Sequence, residues 1–393
     1  MTIPVKKIST FCKTGSGGTP SRSNNAFFEN GTIPWVKSGE LKNRYITEVE
    51  EYITDLAVEK SSAKLVSKGS LLIAMYGATV GEVSQLTFDA TTNQAICNIQ
   101  PDENVCDVNY LYRFLEASKP YLLSRRVGGG QPNISQGVIK DLVVPLPPLA
   151  EQRRIASILD QADELRQKRQ QAIEKLDQLL QATFIDMFGD PVSNPKGFEV
   201  KKLENLTTKI GSGSTPKGGD SAYKDEGISL VRSLNIYDGQ FSYKNLAFID
   251  QDQADKLKNV ILQENDVLLN ITGASVARCC LIPNEVLPAR VNQHVSILRV
   301  KDKLIPEFLE ALLISKPMKL HLLKISGAGA TREALTKLQL QELEIIVPPL
   351  DIQNEFLLKL KSIKCLIDLN LKQLNELDKL FISSQNQAFN GTL

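Results

Sequence analysis

Histidine is nearly absent from this chain of 393 residues, with only His294 and His321. Neither has a cysteine or a paired acid beside it, which excludes a His/Cys metal cluster and the usual base of a nucleophilic triad. The six cysteines, at positions 12, 97, 106, 279, 280 and 365, form no C-x-x-C. That spacing argues against both zinc and a disulfide framework and suits a reducing, cytoplasmic compartment. No apolar run approaches the ~20 residues of a membrane helix. The opening Met1-Thr-Ile-Pro-Val-Lys-Lys has no apolar core or small-residue cleavage site of the secretory kind. An excess of one charge is missing too: 46 Lys and Arg face 45 Asp and Glu. The balance holds locally, with 15 positive and 14 negative charges in residues 1–149, and 20 and 19 in 189–347. A partner that is nucleic acid must therefore be held by base-edge contacts or with the help of a second, basic subunit. What is present, 42% hydrophobic and 23% charged residues, is the make-up of a globular protein of two or three domains.

Enzyme signatures are also missing. Gly211-Ser-Gly-Ser-Thr-Pro-Lys-Gly-Gly imitates a phosphate loop but lacks the G-x-x-x-x-G-K-[ST] order, so no ATP site is expected. Val143-Val-Pro-Leu-Pro-Pro-Leu149 has neither the amide nor the aromatic of an adenine-methylase catalytic run. Glu199-Val-Lys201 after Asp190 imitates a nuclease triad, but the equivalent Val5-Lys-Lys lacks the acid, and chance explains it better.

The strongest positive feature is an internal repeat. Val5-Lys-Lys-Ile8 returns as Val200-Lys-Lys-Leu203, and Gly15-Ser-Gly-Gly-Thr-Pro20 as Gly211-Ser-Gly-Ser-Thr-Pro216. Trp35-Val-Lys-Ser38 answers Leu230-Val-Arg-Ser233, and Lys68–Gly77 answers Glu264–Gly273. Asn93-Gln94 returns as Asn292-Gln293, and Val144-Pro-Leu-Pro-Pro-Leu149 as Ile346-Val-Pro-Pro-Leu350. The offset drifts only from 195 to 201, as a few loop insertions would cause.

Each half has two parts. Residues 1–149 and 189–347 mix short buried strand patterns, such as Leu71–Met75 and Val267–Ile271, with helical spacing over Asn109–Leu123 and Pro306–Leu323. Glycine runs, Gly15–Gly18 and Val127–Gln131, read as loops. The second part, residues 150–188 and 348–393, reads as one long helix. From Ala150 to Phe188 there is no Gly or Pro, and Phe188-Gly-Asp-Pro191 stops it. Apolar positions recur at three and four: Ile155, Leu159, Ala162, Ile173, Leu176, Leu180 and Met187, then Phe356, Leu360, Ile363, Ile367, Leu374, Leu377, Phe381 and Ala388. Burying one such side chain is worth ~1.5–3 kcal/mol, so the two helices are expected to pair, antiparallel, as a coiled coil. Arg166, Arg169 and Asn370 interrupt the seam and are expected to set its register. The expected fold is thus α+β or mixed α/β: two homologous globular domains joined by two long antiparallel helices. A target with two half-sites, such as duplex DNA, fits that plan.

The runs Gly17-Gly-Thr-Pro-Ser21, Ile33-Pro-Trp-Val-Lys-Ser-Gly39, Lys64-Leu-Val-Ser-Lys-Gly69 and Pro145-Leu-Pro-Pro-Leu-Ala-Glu-Gln-Arg153, echoed in the second half, resemble the specificity (S) subunits of type I restriction–modification enzymes. The resemblance spans essentially the whole chain, including Met187-Phe-Gly-Asp-Pro191. It implies two target-recognition domains, each reading one half of a bipartite DNA site, with the coiled coil as spacer. It implies no chemistry in the chain itself. Two modification (M) subunits would carry S-adenosylmethionine, and restriction (R) subunits would use ATP and Mg. Ser214 for the second glycine and Leu230 for Trp imply that the two domains read different sequences. A type IIB-like system, a coiled-coil protein adaptor, and an enzyme in its own right are the other readings.

Base readers need Arg, Lys, Asn, Gln, Ser or Thr on loops, and phosphate holders need free backbone N–H groups or cations. On that ground the first-half candidates are Lys13, Ser16, Thr19, Ser21, Arg22, Lys37, Tyr76, Thr79, Arg125, Arg126, Gln131 and Asn133. The second-half candidates are Ser212, Ser214, Thr215, Lys217, Arg232, Asn270, Thr272, Ser275, Arg278, Lys324, Thr331 and Arg332. Asn93-Gln94 and Asn292-Gln293-His294 can equally be strand-end caps. No metal ligand or catalytic residue is expected.

Overall fold

A computed structural model describes residues 3–127, 133–216, 218–327 and 333–393. Two compact units emerge: Met1–Gln170 with Lys372–Leu393, and Gln171–Leu371.

In the first unit the short, β-branched and apolar segments build two sheets. One is formed by β1 (Cys12–Ser16), β3 (Leu71–Ala74), β4 (Val83–Leu86) and β6 (Ile96–Pro101), in the order β1-β6-β3-β4, with Tyr45–Ile46 at the edge beyond β4. β6 is antiparallel to both β1 and β3, with Cys97 opposite Ser16 and Ile73. The other sheet places β2 (Ile33–Val36) parallel to β5 (Ala90–Thr92), flanked by Tyr52–Ile53 and Leu65–Val66. β3 has no polar residue, and all four of its side chains are buried. Its alternate faces serve two cores, because Leu71 and Ile73 pack with the helix Val108–Ala117 while Leu72 and Ala74 pack with Val36 and Ile46.

The second unit repeats the plan. β7 (Thr207–Ser212), β9 (Val267–Asn270), β10 (Cys279–Leu281) and β12 (Val295–Val300) form a sheet in the order β7-β12-β9-β10. β8 (Ile228–Val231) runs parallel to β11 (Ala289–Val291). The helical stretches expected over Asn109–Leu123 and Pro306–Leu323 are each two helices, broken at Ser118 and Ser315 before a Lys-Pro pair. Proline has no N–H for the ladder and is tolerated at a helix start, so each break falls there.

The central helix runs over Leu149–Phe188 and the C-terminal helix over Leu350–Asn390. Within the first unit their segments are antiparallel: Arg154 reaches the carbonyl of Leu393, and Arg166 meets Asp378 at 2.6 Å. Arg166 also lies 4.6 Å from the Phe381 ring centre, so one expected seam interruption is an interhelical ion pair seated on an aromatic. Within the second unit Phe184 and Phe188 pack edge-on against Phe356, centroids 5.6 and 5.3 Å apart. Asn370 turns its amide back to the carbonyl of Leu366 and is 9% exposed. Among the described residues, no helix is long and apolar enough to cross a membrane.

Gln152 and Gln353 tie helix to globular part in the same way. Gln152 accepts the N–H of Asp107 and donates to the carbonyls of Val105 and Pro147. Gln353, 201 residues later, accepts from Ile305 and donates to Lys303 and Pro348. The duplication therefore reaches individual hydrogen bonds.

Candidate nucleic-acid interface

One end of the main sheet in each unit gathers the loops that carry most of the candidate residues. In the first unit β1 ends at Ser16, β6 begins at Ile96 and β3 ends at Ala74, all at the same edge. The turn 93–95 is pinned from three sides. Asn93 donates its N–H to Val36, its side chain accepts from the N–H of Ala95, and the Ala95 carbonyl accepts from Met75 at 2.7 Å. Asn133 pairs with Val127 and bridges Tyr76, while Ile134 donates to Met75. Ser16, Thr19, Tyr76, Thr79 and Asn133 thus share one tip.

The second unit reproduces this tip. Asn292 donates to Val231, its side chain accepts from the N–H of His294, and the His294 carbonyl accepts from Ile271 at 2.9 Å. Thr272 bridges Ala334, and Leu335 donates to Ile271. Ser212, Ser214, Thr215, Thr272 and Ser275 lie here. Strand-end capping is therefore the role of Asn93 and Asn292, but the glutamines beside them point outward and are exposed. Thr19 donates to Oε1 of Gln94, and Thr215 to Oε1 of Gln293. His294 adds two contacts with no counterpart at Ala95: Nδ1 lies 2.5 Å from Thr272 Oγ1, and Nε2 lies 3.1 Å from Gln293 Nε2. Gln94, Gln293 and His294 were not among the sequence candidates. The recurrence of a Thr-Pro and an Asn-Gln in both halves was the signal for them.

The glycine run has a different purpose from the one expected. Gly15 and Ser16 belong to β1 rather than to a loop, and Gly211 and Ser212 to β7. The N–H groups of Gly17 and Gly18 are used internally, by Ile96 and Thr92, and that of Gly213 by Asn292. A Cβ on Gly17 would stand 2.0 Å from the Thr92 carbonyl oxygen, and one on Gly213 1.9 Å from that of Val291. These glycines allow backbone to cross backbone; they are not a cradle of free donors for an anion.

Several cations at this edge are already paired. Arg22 meets Glu51 at 2.6 Å and lies over the rings of Phe28 and Trp35, at 4.8 and 5.1 Å. Lys37 meets Glu50 at 2.7 Å and Glu51 at 2.9 Å. Hydrogen bonding from Arg22, followed by Lys37, holds the Glu51 carboxyl below the usual range, and Lys37 does the same for Glu50. The Trp35 indole N–H donates to the Gly18 carbonyl at 3.1 Å, so this cluster braces the glycine crossing. Arg232 lies 4.9 Å from the Tyr223 ring and donates to the Asn245 carbonyl, and Arg278 lies over Tyr237 at 4.9 Å. Arg125 covers Tyr121, and Arg126 donates to the Leu123 carbonyl. Ser21 pairs with Ser23.

Three candidates do not present their side chains at the tips. Lys13 sits on β1 opposite Gln100, three residues or ~10 Å along the strand from Ser16. Lys324 is exposed on the helix Lys316–Gly327. Asn270 is not a surface group at all: it is fully buried at the end of β9 and donates to the Ser233 carbonyl at 2.9 Å. Strand alternation turns it to the core side, where its counterpart in the first half is Ala74. Gln131, Lys217, Thr331 and Arg332 lie outside the described residues.

A model of the type I restriction modification DNA specificity domain matches the chain twice, over residues 2–175 and 195–379. Among curated proteins, the MjaIX specificity subunit of Methanocaldococcus jannaschii is 27% identical over 377 residues, covering 90% of this chain and 84% of that protein. The EcoR124I/EcoR124II specificity subunit of Escherichia coli is 31% identical over 168 residues, 42% of this chain and 41% of its own length. Among solved structures, a chain from a study of complex assembly in a type I R-M system matches with a TM-score of 0.64 at 18% identity, each chain fully covered. The S subunit from M. genitalium matches with a TM-score of 0.57 at 14% identity, covering 99% of this chain and 96% of that one.

Proposed function

The chain belongs to the type I restriction–modification DNA specificity family, and from that we propose that it reads a bipartite, asymmetric DNA site, one recognition domain (residues 1–149 and 189–347) per half-site. It is a specificity subunit, without chemistry of its own, and it acts with modification and restriction subunits. Two modification subunits would bring S-adenosylmethionine to an adenine in each half-site, and restriction subunits would bring ATP and Mg. The long helices, 150–188 and 348–393, would be the spacer. DNA in the cytoplasm is the natural target.

The observation that carries this reading is the repeated tip. Two domains built on one plan present the same turn with different side chains: Tyr76 and Ala95 in one, Thr272 and His294 in the other. A common frame with changed chemistry suits two half-sites of different sequence. The paired state of Arg22 and Lys37 and the near-zero net charge fit a chain whose affinity comes with its basic partners.

Methylome sequencing of cells with and without this gene tests the proposal. Loss of a two-part adenine-methylation motif on deletion is the expected result. An M–S complex that binds all duplexes equally would leave the protein an adaptor.

A further inference from the structure

Each tip contains a glutamine that is exposed, while the asparagine before it is consumed by the turn. Asn93 and Asn292 accept the N–H two residues on, and their own N–H groups are held by Val36 and Val231. Among the described residues, Gln94 and Gln293 have no such backbone task. Their Oε1 atoms accept from Thr19 and Thr215, which come from the glycine crossing of the same unit. That bond fixes which way the amide faces. It leaves the second lone pair of Oε1 and at least one N–H of Nε2 to meet something from outside.

We infer that Gln94 and Gln293 are the adenine-reading residues of the two half-sites, their amides oriented by Thr19 and Thr215. This rests on the DNA-reading function proposed above. An oriented amide offers one acceptor and one donor side by side. The adenine edge in the major groove offers N6–H and N7 in complementary order, and a glutamine spans both. A loose amide presents either face, and holding it before binding removes the side-chain entropy otherwise lost on contact. The two tips differ in how firmly the amide is held. In the second unit Nε2 of Gln293 also meets Nε2 of His294, whose Nδ1 is engaged by Thr272. The chain Thr215–Gln293–His294–Thr272 thus crosses the whole tip. In the first unit Ala95 cannot do this, and Tyr76, 41% exposed, stands where Thr272 does. His294 is a positioning residue, and its loss is expected to affect the second half-site alone.

The test uses the full chain co-expressed with its modification subunits and reads the adenine-methylation motif by whole-genome sequencing. Competition binding with single-base variants of the site supplies the magnitudes. Gln94→Ala is expected to make one adenine position degenerate in one half-site, with discrimination falling roughly 10- to 100-fold. Gln293→Ala does the same in the other half-site, and the intact half-site in each case shows that the chain is folded. Gln94→Glu shifts the preferred base at that position towards cytosine, whose N4 amine a carboxylate accepts. His294→Ala weakens discrimination at the Gln293 position and leaves the first half-site unchanged. The inference is overturned if both half-sites stay fully specified in the alanine variants, or if affinity falls equally for all duplexes. A relaxed position whose original base is not adenine overturns the chemistry assigned. A wild-type complex that writes no two-part motif is a separate result, and it removes the underlying function together with this inference.

Discussion

Gln152 Oε1 accepts the backbone N–H of Asp107 at 2.9 Å, and this one side chain closes the first domain onto its helix. The amide is 1% exposed and also donates to Val105 and Pro147. Asp107 is the residue that caps the helix Val108–Ala117, so the bond fixes a helix start as well as the seat of the long helix. Gln152→Ala leaves three backbone groups without this partner, the buried carbonyl of Pro147 and the part-buried Asp107 N–H and Val105 carbonyl. Each unmatched group costs about 1–3 kcal/mol, less whatever water recovers, so a loss of about 2–4 kcal/mol is expected. Gln353→Ala loses the same. Denaturant unfolding measures the loss, and hydrogen exchange should show it confined to the mutated unit.

The tip of the first unit should loosen in acid, and Trp35, the single tryptophan of the chain, reports it. Glu51 is held below the usual carboxylate range by Arg22 and then Lys37. A carboxyl with a depressed folded value contributes stability above its unfolded value and loses it as pH falls through the folded one. The window therefore lies below about pH 4. Arg22, released from Glu51, leaves the face of Trp35. Indole fluorescence should change on acidification in that window, and Glu51→Gln should show the released signal at neutral pH with no further acid step.

Much of the fold was legible in the sequence because it is written twice. A 201-residue echo of a buried glutamine, and heptad positions that are all buried or half-buried, could be read without coordinates. The tip was less legible because residue type does not reveal which face of a strand is used. Asn270 looked like a base reader, yet one-residue alternation buries it, whereas the Asn-Gln pairs read equally as caps or contacts, and the structure gives the cap to the asparagine and exposes Gln94 and Gln293. The glycine run misled for a related reason. Gly17 and Gly213 are demanded by a carbonyl about 2 Å from where a Cβ would stand, and no local pattern announces a neighbour from another strand.

That close approach predicts a contrast among glycine substitutions. Gly213→Ala forces backbone apart at Val291, and overpacking of this kind costs about 1–3 kcal/mol. Because Thr215 follows two residues later, the loop that orients Gln293 should shift as well. Recognition of the second half-site should weaken and the first should not. Gly39→Ala, where a Cβ meets nothing within 4 Å, should change neither stability nor the motif. Melting curves together with the methylation motif separate the two.

A buried electrostatic cluster of the first unit centres on Arg113, which is 1% exposed and faces Asp160, Asp163 and Glu116 at 2.7–3.1 Å. Burial raises the Glu116 carboxyl, against the pull of Arg113. Arg44 also meets Asp160, and Arg166 also meets Asp163, so the carboxylates keep some compensation when Arg113 is removed. Arg113→Met keeps the volume but strips the central cation, and a loss of about 3 kcal/mol at neutral pH is expected, the lower end for a broken buried pair. The pH dependence gives the sign. In the variant Glu116, already raised by burial, loses the pull of Arg113 and is favoured still more in its protonated form by folding, so stability recovers as pH falls through its folded value. The gap between wild type and Arg113→Met should therefore narrow on acidification from pH 7 towards 5. Restoring charge balance with Asp163→Asn in the same chain should narrow it at pH 7. A gap that stays constant across that range in urea titrations would mean that Arg113 acts through packing on Tyr112 and Phe381 rather than through its charge.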